Sequence, residues 1–156
     1  MSGPDDATQR KRKLASERHK ARHFAMQALY QWHYTAASAA DIEAQFRVDF
    51  DMKGCDLAYF RELLRKVQSE HEQLDALFVD WLENKLVSEC DPITLALLRI
   101  ASYELQSRID VPYKVAINEA VNLAKKFGPQ DSHKFVNATL DKVAQQLRVA
   151  EVQAQR

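Results

Sequence analysis

The residue types that most often perform catalysis are present in this chain, but their spacing does not assemble a recognised catalytic site. The five histidines include no His-Glu-x-x-His pair and have no neighbouring cysteine pair. His19 and His23 lie one helical turn apart and could share a metal ion, although phosphate contact is the favoured interpretation in a basic segment. Ser132 and His133 are adjacent, which suits a helix cap better than a nucleophile and its base.

Glycines and carboxylates do not indicate an enzyme either. The three glycines lie far apart, at positions 3, 54 and 128, so they form no phosphate-binding loop. The acidic residues around Asp75, Asp80 and Glu83 are interpreted as a solvated helix face, because a pair for acid and base catalysis would need a pocket. We therefore expect no enzymatic activity, no metal and no cofactor.

The strongest functional feature of the sequence is a concentration of positive charge near its N-terminus. The 22 Lys and Arg balance the 22 Asp and Glu overall, yet residues 1–23 hold seven basic against three acidic residues, leaving fifteen against nineteen in the remainder. A local positive field attracts polyanions without making the whole surface adhesive. Cations that meet phosphates release condensed counterions, so nucleic acid is the leading partner class. A tail that only aids solubility is the alternative.

Selectivity for a base sequence on single-stranded RNA would require aromatic residues that stack on bases. Tyr30, Phe127 and Phe135 are candidates, although helical periodicity alone favours a core position for Tyr30 and Phe135. Asp131 is interpreted first as an N-cap residue, and contact with a base is the second interpretation.

The elements that position these residues are predicted to be helices, because glycine and proline are few and alternating apolar patterns are scarce. No apolar run approaches the roughly 20 residues that a membrane span needs, and the first twenty residues lack the apolar core of a signal peptide. Cys55 and Cys90 cannot form a disulfide framework. We expect an all-α, cytoplasmic protein with no membrane association.

The basic N-terminus is predicted to be a flexible tail over residues 1–17, since it is too poor in apolar residues to pack. A helical domain follows over residues 18–148, and residues 149–156 form an unpatterned C-terminal tail. The first helix is expected from about Glu17 to about Tyr34.

Caps and breaks divide the domain into about seven helices. Ser38 and Asp91 are N-cap candidates, and Asp91 is followed by a proline, which suits a first helical turn. Gly128 and the proline after it predict a helix end. The apolar stripe from Leu57 to Trp81 predicts one long helix or two collinear helices.

Four long motifs carry a resemblance to the NusB antitermination family. They are ARHFAMQALYQW at residues 21–32, LRIASYEL at 98–105, VPYKVAINEA at 111–120, and KFG with DSHKFVN at 126–128 and 131–137. The resemblance extends in order over roughly residues 18–148. It implies two packed helical lobes, binding of the boxA element of ribosomal RNA leader transcripts together with the ribosomal protein NusE, and a termination-resistant RNA polymerase complex.

The resemblance also implies which residues bind. The RNA face would comprise the basic first helix and the region around the Phe-Gly and Asp-Ser motifs, namely Arg18, Lys20, Arg22, Gln27, Phe127, Asp131 and Phe135. Tyr30 and the positions around Glu89 and Thr94, expected to be exposed, would face the protein partner. Whether the free protein is a monomer or a homodimer is left open.

Two departures and two rival interpretations accompany the resemblance. The N-terminal tail is longer than the family needs, and Ala138 stands where the family commonly has glycine, which leaves local contacts there in doubt. An accessory part of an RNA methyltransferase is one rival, but the chain lacks the large α/β region that methyl transfer requires. The other rival is a helical scaffold that binds only protein.

Overall fold

The computed structural model describes residues 4–155, and within that range every regular element is helical. Seven α-helices occur there, which confirms the predicted all-α class. They are α1 (Pro4–Thr35), α2 (Ala39–Asp49), α3 (Leu57–Ala76), α4 (Pro92–Ser107), α5 (Tyr113–Phe127), α6 (Ser132–Leu147) and α7 (Val149–Ala154). Three short 3-10 turns, Val79–Trp81, Glu83–Lys85 and Val87–Glu89, join α3 to α4.

The chain divides into two compact units, the first ending at Arg65 and the second beginning at Lys66. The N-terminal unit contains α1, α2 and the first part of α3, and the C-terminal unit contains the remaining elements. Each unit has its own buried apolar side chains.

The first helix begins at Pro4, whereas the sequence predicts a flexible tail as far as residue 17. Proline at the first helical position loses no hydrogen bond, and Asp5 and Asp6 complement the positive end of the helix dipole. The residues that follow include Ala, Gln, Arg, Lys and Leu, which are strong helix formers. The structure thus places a helix over residues 4–17 of the predicted tail, with side chains 7–16 exposed.

The N-terminal unit is built on close contact between α1 and α2. The distance between two packed helices depends on the side chains at the contact, and small side chains permit a short one. The face of α1 that is fully buried carries Ala21, Ala25 and Ala28. Aromatic rings of the other two helices complete the core of this unit, with the ring centres of Phe46 and Phe60 6.0 Å apart.

Two predicted N-caps are confirmed. The Ser38 hydroxyl accepts a hydrogen bond from the backbone N–H of Asp41 at 3.1 Å and caps α2. The Asp91 carboxylate accepts from the backbone N–H of Thr94 at 2.9 Å and caps α4, whose first turn contains Pro92. Each cap satisfies a donor that the start of a helix leaves without an internal partner.

The C-terminal unit is organised around α4, in which every residue from 94 to 105 is buried. Helices α5 and α6 pack on α4 and on each other. A helix surrounded in this way needs apolar residues on all sides, which agrees with its composition.

The predicted helix over Leu57–Trp81 is wrong in its last turn, because α3 ends at Ala76. Hydrogen bonds of the i to i+3 type, such as Leu77 N–H to Leu74 O at 3.0 Å, tighten the chain there. Just before this end the Asp75 carboxylate accepts two hydrogen bonds of 2.7 Å from the Arg99 guanidinium. This pair ties the end of α3 to α4.

The segment after Leu147 is also structured, whereas the sequence predicts a tail from residue 149. The Arg148 guanidinium donates to the carbonyl oxygens of Glu104, Leu105 and Arg108 at 3.1, 2.8 and 2.9 Å. A cation at the C-terminal end of a helix also meets the negative end of its dipole. Arg148 therefore caps α4.

A second cap comes from α7. The Glu151 carboxylate accepts from the backbone N–H of Tyr113 at 2.8 Å, at the start of α5, where Pro112 offers no side-chain cap. This hydrogen bond is the main reason that the pKa of Glu151 lies below its ordinary value. The next residue, Val152, is buried, so packing as well as charge holds α7 in place.

Candidate nucleic-acid interface

Four of the residues predicted to bind RNA lie on α1 in the N-terminal unit. A helix turns by about 100° per residue, so Arg18 and Arg22, four residues apart, share a face. Lys20 lies on a different face of the same helix. The four residues therefore do not form a single stripe.

Arg18 and Arg22 both lie over the ring of Tyr59, a residue of α3. The guanidinium carbons are 4.8 and 5.5 Å from the ring centre, a geometry in which a cation is attracted to the aromatic face. Arg22 is only 3% exposed, so its predicted direct contact with phosphate does not fit this position. We assign Arg22 to positioning Tyr59. Sequence spacing offered no signal for Tyr59, because it comes from a different helix.

Lys20 is exposed and lies against the turn that precedes α3. A side-chain carbon added at Gly54 would come within 2.9 Å of the Lys20 Nζ atom, so the absence of one lets the lysine reach over the turn. The backbone N–H of Asp56 donates to the Glu17 carbonyl at 3.1 Å and holds the turn against α1. Lys20 is thus placed as an accessible cation.

Gln27 provides a hydrogen-bonding group rather than a charge. Its Oε1 atom is buried and has no hydrogen-bond partner within residues 4–155. A buried acceptor without a partner is costly to the fold. The Gln27 side chain as a whole is partly exposed.

The other three predicted residues lie in or beside the turn between α5 and α6 in the C-terminal unit. Phe127 ends α5 with 44% of its surface exposed, and Gly128 caps that helix, as predicted. A Cβ atom at Gly128 would lie 2.4 Å from the Ser132 hydroxyl oxygen and 2.8 Å from the Ala124 carbonyl oxygen. The tight turn therefore requires glycine for space, and it leaves the Phe127 ring at the surface.

Asp131 occupies the N-cap position of α6 but does not cap it. Its backbone is left-handed, with φ of 63°, a conformation that Asp tolerates better than most residues. No capping hydrogen bond comes from its side chain, and the exposed carboxylate lies 3.6 Å from the Lys134 ammonium. The cap interpretation is therefore right in position and wrong in function, and the carboxylate remains accessible.

Phe135 lines a cavity of about 300 Å³ in the C-terminal unit. The same cavity is lined by Glu89 and Thr94, which were predicted to face a protein partner. Thr94 is 4% exposed and donates its hydroxyl to Asp91, so its predicted exposure is wrong although it borders the cavity. Sequence analysis did not identify the remaining lining residues as part of a site; they are Leu82, Glu83, Cys90, Asp91, Pro129 and Ser132.

The cavity combines apolar walls with negative charge. Three carboxylates, of Glu83, Glu89 and Asp91, border it, and no Lys or Arg is among the lining residues. Burial and the neighbouring Asp91 raise the pKa of the Cys90 thiol to about 11, so this cysteine is a neutral thiol at pH 7. The cavity therefore favours a cationic or neutral group over a phosphate.

Tyr30 lies near the end of α1 and is 40% exposed, as a contact with a protein partner would require. Its ring packs edge-on against Tyr34, with the ring centres 5.0 Å apart. The two tyrosines form an exposed aromatic pair in the N-terminal unit.

Within the described residues, no helix is sufficiently long and apolar to cross a membrane.

Comparison with known proteins identifies the family. A model described as the NusB family matches residues 19–145. Relatives called Transcription antitermination protein NusB include that of Teredinibacter turnerae, 55% identical over 142 residues, which are 91% of this chain and 97% of the relative. The Saccharophagus degradans relative is 54% identical over 142 residues, with 91% and 95% of the two chains covered.

A longer match is to the relative of the same name from Pseudomonas fluorescens strain Pf-5, 49% identical over 151 residues, 97% of this chain and 90% of the relative. The fold is similar to the solved structure of T. maritima NusB, with a TM-score of 0.74, 27% identity, and 86% and 96% of the two chains covered. These matches confirm the resemblance carried by the motifs: the chain belongs to the NusB family.

Proposed function

We propose that this chain acts in transcription antitermination by binding the boxA element of ribosomal RNA leader transcripts together with NusE. The name of the relatives, Transcription antitermination protein NusB, supports the process. The family motifs support the RNA element and the protein partner. The chain would capture RNA without catalysis, within a cytoplasmic complex that keeps RNA polymerase resistant to termination.

The turn between α5 and α6 is the observation that carries the proposal. It presents the exposed ring of Phe127 and, four residues later, the Asp131 carboxylate, which makes no capping hydrogen bond. Specific recognition of single-stranded RNA uses these two kinds of group, one to stack on a base and one to accept from its edge. Asp131 would accept from an amino group such as that of cytosine or adenine.

Residues of α1 would supply the phosphate contacts. Lys20 is accessible, and Arg18 is held in place by the ring of Tyr59. Fixing a long cation before binding reduces the side-chain entropy that complex formation costs. Arg22 would act through Tyr59. Gln27 is partly exposed and would contact the RNA with the exposed part of its side chain, since its Oε1 atom is buried.

A side chain of NusE would occupy the cavity lined by Phe135, Glu89 and Thr94. Phe135, which the family resemblance puts on the RNA face, is thus proposed here to meet the protein partner. The carboxylates at its border repel phosphate, so a protein side chain is the better occupant. Its volume of about 300 Å³ lies at the lower end of the range for ligand sites, which suits one inserted side chain. Tyr30 would add an aromatic contact, a residue type enriched at protein interfaces.

The test is binding of the purified protein to a boxA RNA and to a base-scrambled RNA, with and without NusE, in moderate salt. We expect selective binding to boxA that NusE strengthens and that falls steeply as salt increases. Equal binding to both RNAs, or a flat response to salt, would contradict the proposal. Asp131→Asn retains an acceptor but alters charge, and should reduce the ratio of boxA to scrambled affinity.

A protein-only scaffold is the second candidate, and the exposed Tyr30 and Tyr34 pair favours it. Deletion of residues 1–17, or Arg18→Glu, separates the two functions. A scaffold would retain all of its partner binding in both variants and would bind neither RNA. The proposed function requires the loss of RNA affinity while the direct contact with NusE persists.

A further inference from the structure

Three arginines on α2 and α3, helices that carry none of the residues assigned above to direct RNA contact, surround one carboxylate. Arg61 forms a two-pronged hydrogen bond with Glu43, with its Nε and Nη2 atoms 3.0 and 2.9 Å from the two carboxylate oxygens. Arg47 and Arg65 approach the same carboxylate at 3.3 and 3.6 Å. We call these four residues the Glu43 cluster.

The cluster carries excess positive charge. Three guanidinium groups and one carboxylate sum to +2 (3 − 1). Glu43 is 5% exposed, and its hydrogen bonds with Arg61 lower its pKa, so it is ionised at neutral pH. Throughout residues 4–155, Glu43 is the only carboxylate that pairs with any of the three arginines.

The arginines are organised and accessible at the same time. Their side chains are 45%, 49% and 51% exposed for Arg47, Arg61 and Arg65. Like charges gathered around one carboxylate repel each other, and a second anion would reduce that repulsion. Guanidinium groups match a phosphate group especially well, because their planar forks donate two parallel hydrogen bonds.

We propose that the Glu43 cluster binds a phosphate group of the RNA backbone. The inference rests on the proposed function and adds a contact surface outside the residues that the family motifs indicate. Arg47 and Arg65 are the main contributors, since each makes only one longer ion pair with Glu43 and can turn toward a phosphate. Arg61 keeps the buried carboxylate satisfied and positions the other two.

A free phosphate ion offers the same chemistry, but an RNA phosphate is the better occupant. The N-terminal unit already carries an accessible cation in Lys20, and a polyanion held there gains from every further cation on the same unit. In the sequence, the only trace of the cluster is two pairs at helical spacing, Glu43 with Arg47 and Arg61 with Arg65.

The test is the double variant Arg47→Gln and Arg65→Gln, which preserves the Arg61 and Glu43 pair that the fold uses. Its matched control is Lys85→Gln and Lys114→Gln, two exposed lysines of the C-terminal unit with the same total charge change. Affinity for a boxA RNA with natural flanks is measured across a salt series. We expect about tenfold weaker binding near 0.1 M salt and a log–log slope shallower by about 1.4, while the control changes less than about twofold.

Each outcome has a separate meaning. If the wild type binds no RNA, the proposed function itself is wrong. If the wild type binds and the double variant has the same affinity and slope, only the Glu43 cluster proposal is overturned. NMR of the arginine Nε–H groups during titration with inorganic phosphate, and then with RNA, provides a direct readout. Shifts with phosphate but not with RNA would also overturn the assignment to RNA.

Discussion

The cationic surface of α1 and the cavity beside Phe135 are built in opposite ways. On α1, Lys20 is exposed and attracts a phosphate by its charge, which requires no enclosing shape. The lining residues of the cavity come from three separate segments of the chain, represented by Leu82, Thr94 and Phe135, so its shape exists only when these segments pack together. RNA affinity that depends on α1 should therefore fall gradually as its cations are replaced. NusE affinity that depends on the cavity should fall sharply when any of the three segments is displaced.

The largest effect is expected from Arg99→Met, which leaves the carboxylate of Asp75 buried without its partner. Both side chains are little exposed, at 10% and 13%. Removing one partner of a buried ion pair costs about 3–5 kcal/mol, so the free energy of unfolding measured in urea should fall by that amount. NusE binding should also weaken. Asp110→Asn, in a pair whose carboxylate side chain is 53% exposed, should cost under about 1 kcal/mol. Similar losses in both variants would contradict this ranking.

A smaller loss is expected from Gly128→Ala, because the new methyl group would overlap Ser132 and the backbone at Ala124. Overpacking of this kind costs about 1–3 kcal/mol in thermal or urea unfolding. Adding Ser132→Ala removes one of the two clashes and should recover part of the stability. No recovery would show that the backbone contact alone decides the effect.

The two phenylalanines should separate the two binding surfaces. Phe127→Ala removes an exposed ring and should weaken boxA binding by about 1–3 kcal/mol, with little change in melting temperature. Phe135→Ala changes the lining of the cavity and should weaken NusE binding more than RNA binding. Titrations of each variant with RNA and with NusE give the comparison. An identical pattern in the two variants would argue against separate surfaces.

The smallest effect concerns Glu151 and depends on pH. Its folded pKa lies below the ordinary value of 4.5, chiefly because it accepts from Tyr113, so the ionised form stabilises the fold above that value. This stabilisation is lost as pH falls through the folded pKa. With its side chain 31% exposed, Glu151→Gln should cost about 1 kcal/mol at pH 7. The gap to wild type should narrow below pH 4.5, and a gap independent of pH would contradict the assignment.

Local features of the fold could be predicted from the sequence because their causes lie within a few residues. The Ser38 and Asp91 caps each need one oxygen three positions before a free backbone donor. The start of α1 was not predicted from the sequence. Composition indicates whether a segment can pack, but Pro4 and the two acidic residues after it favour the start of a helix even where little packs against it.

The candidate site was predictable in its residue types and much less so in its geometry. The burial of Arg22 depends on the ring of Tyr59, which lies 37 positions later in the chain (59 − 22). The joint position of Phe135, Glu89 and Thr94 depends on the packing of α4 and α6. A periodic pattern identifies which face of a helix is buried but does not identify the neighbour that covers it.

The cap that Arg148 provides has a consequence for the timing of biosynthesis. The carbonyl of Leu105, to which it is hydrogen-bonded, precedes it by 43 residues. A ribosome adding about 5–20 residues per second needs roughly 2–9 s to synthesise that interval. During this time the end of α4 lacks the Arg148 cap, while every residue of the N-terminal unit has already been made. We therefore expect the nascent chain to contain a folded first unit before the second can close.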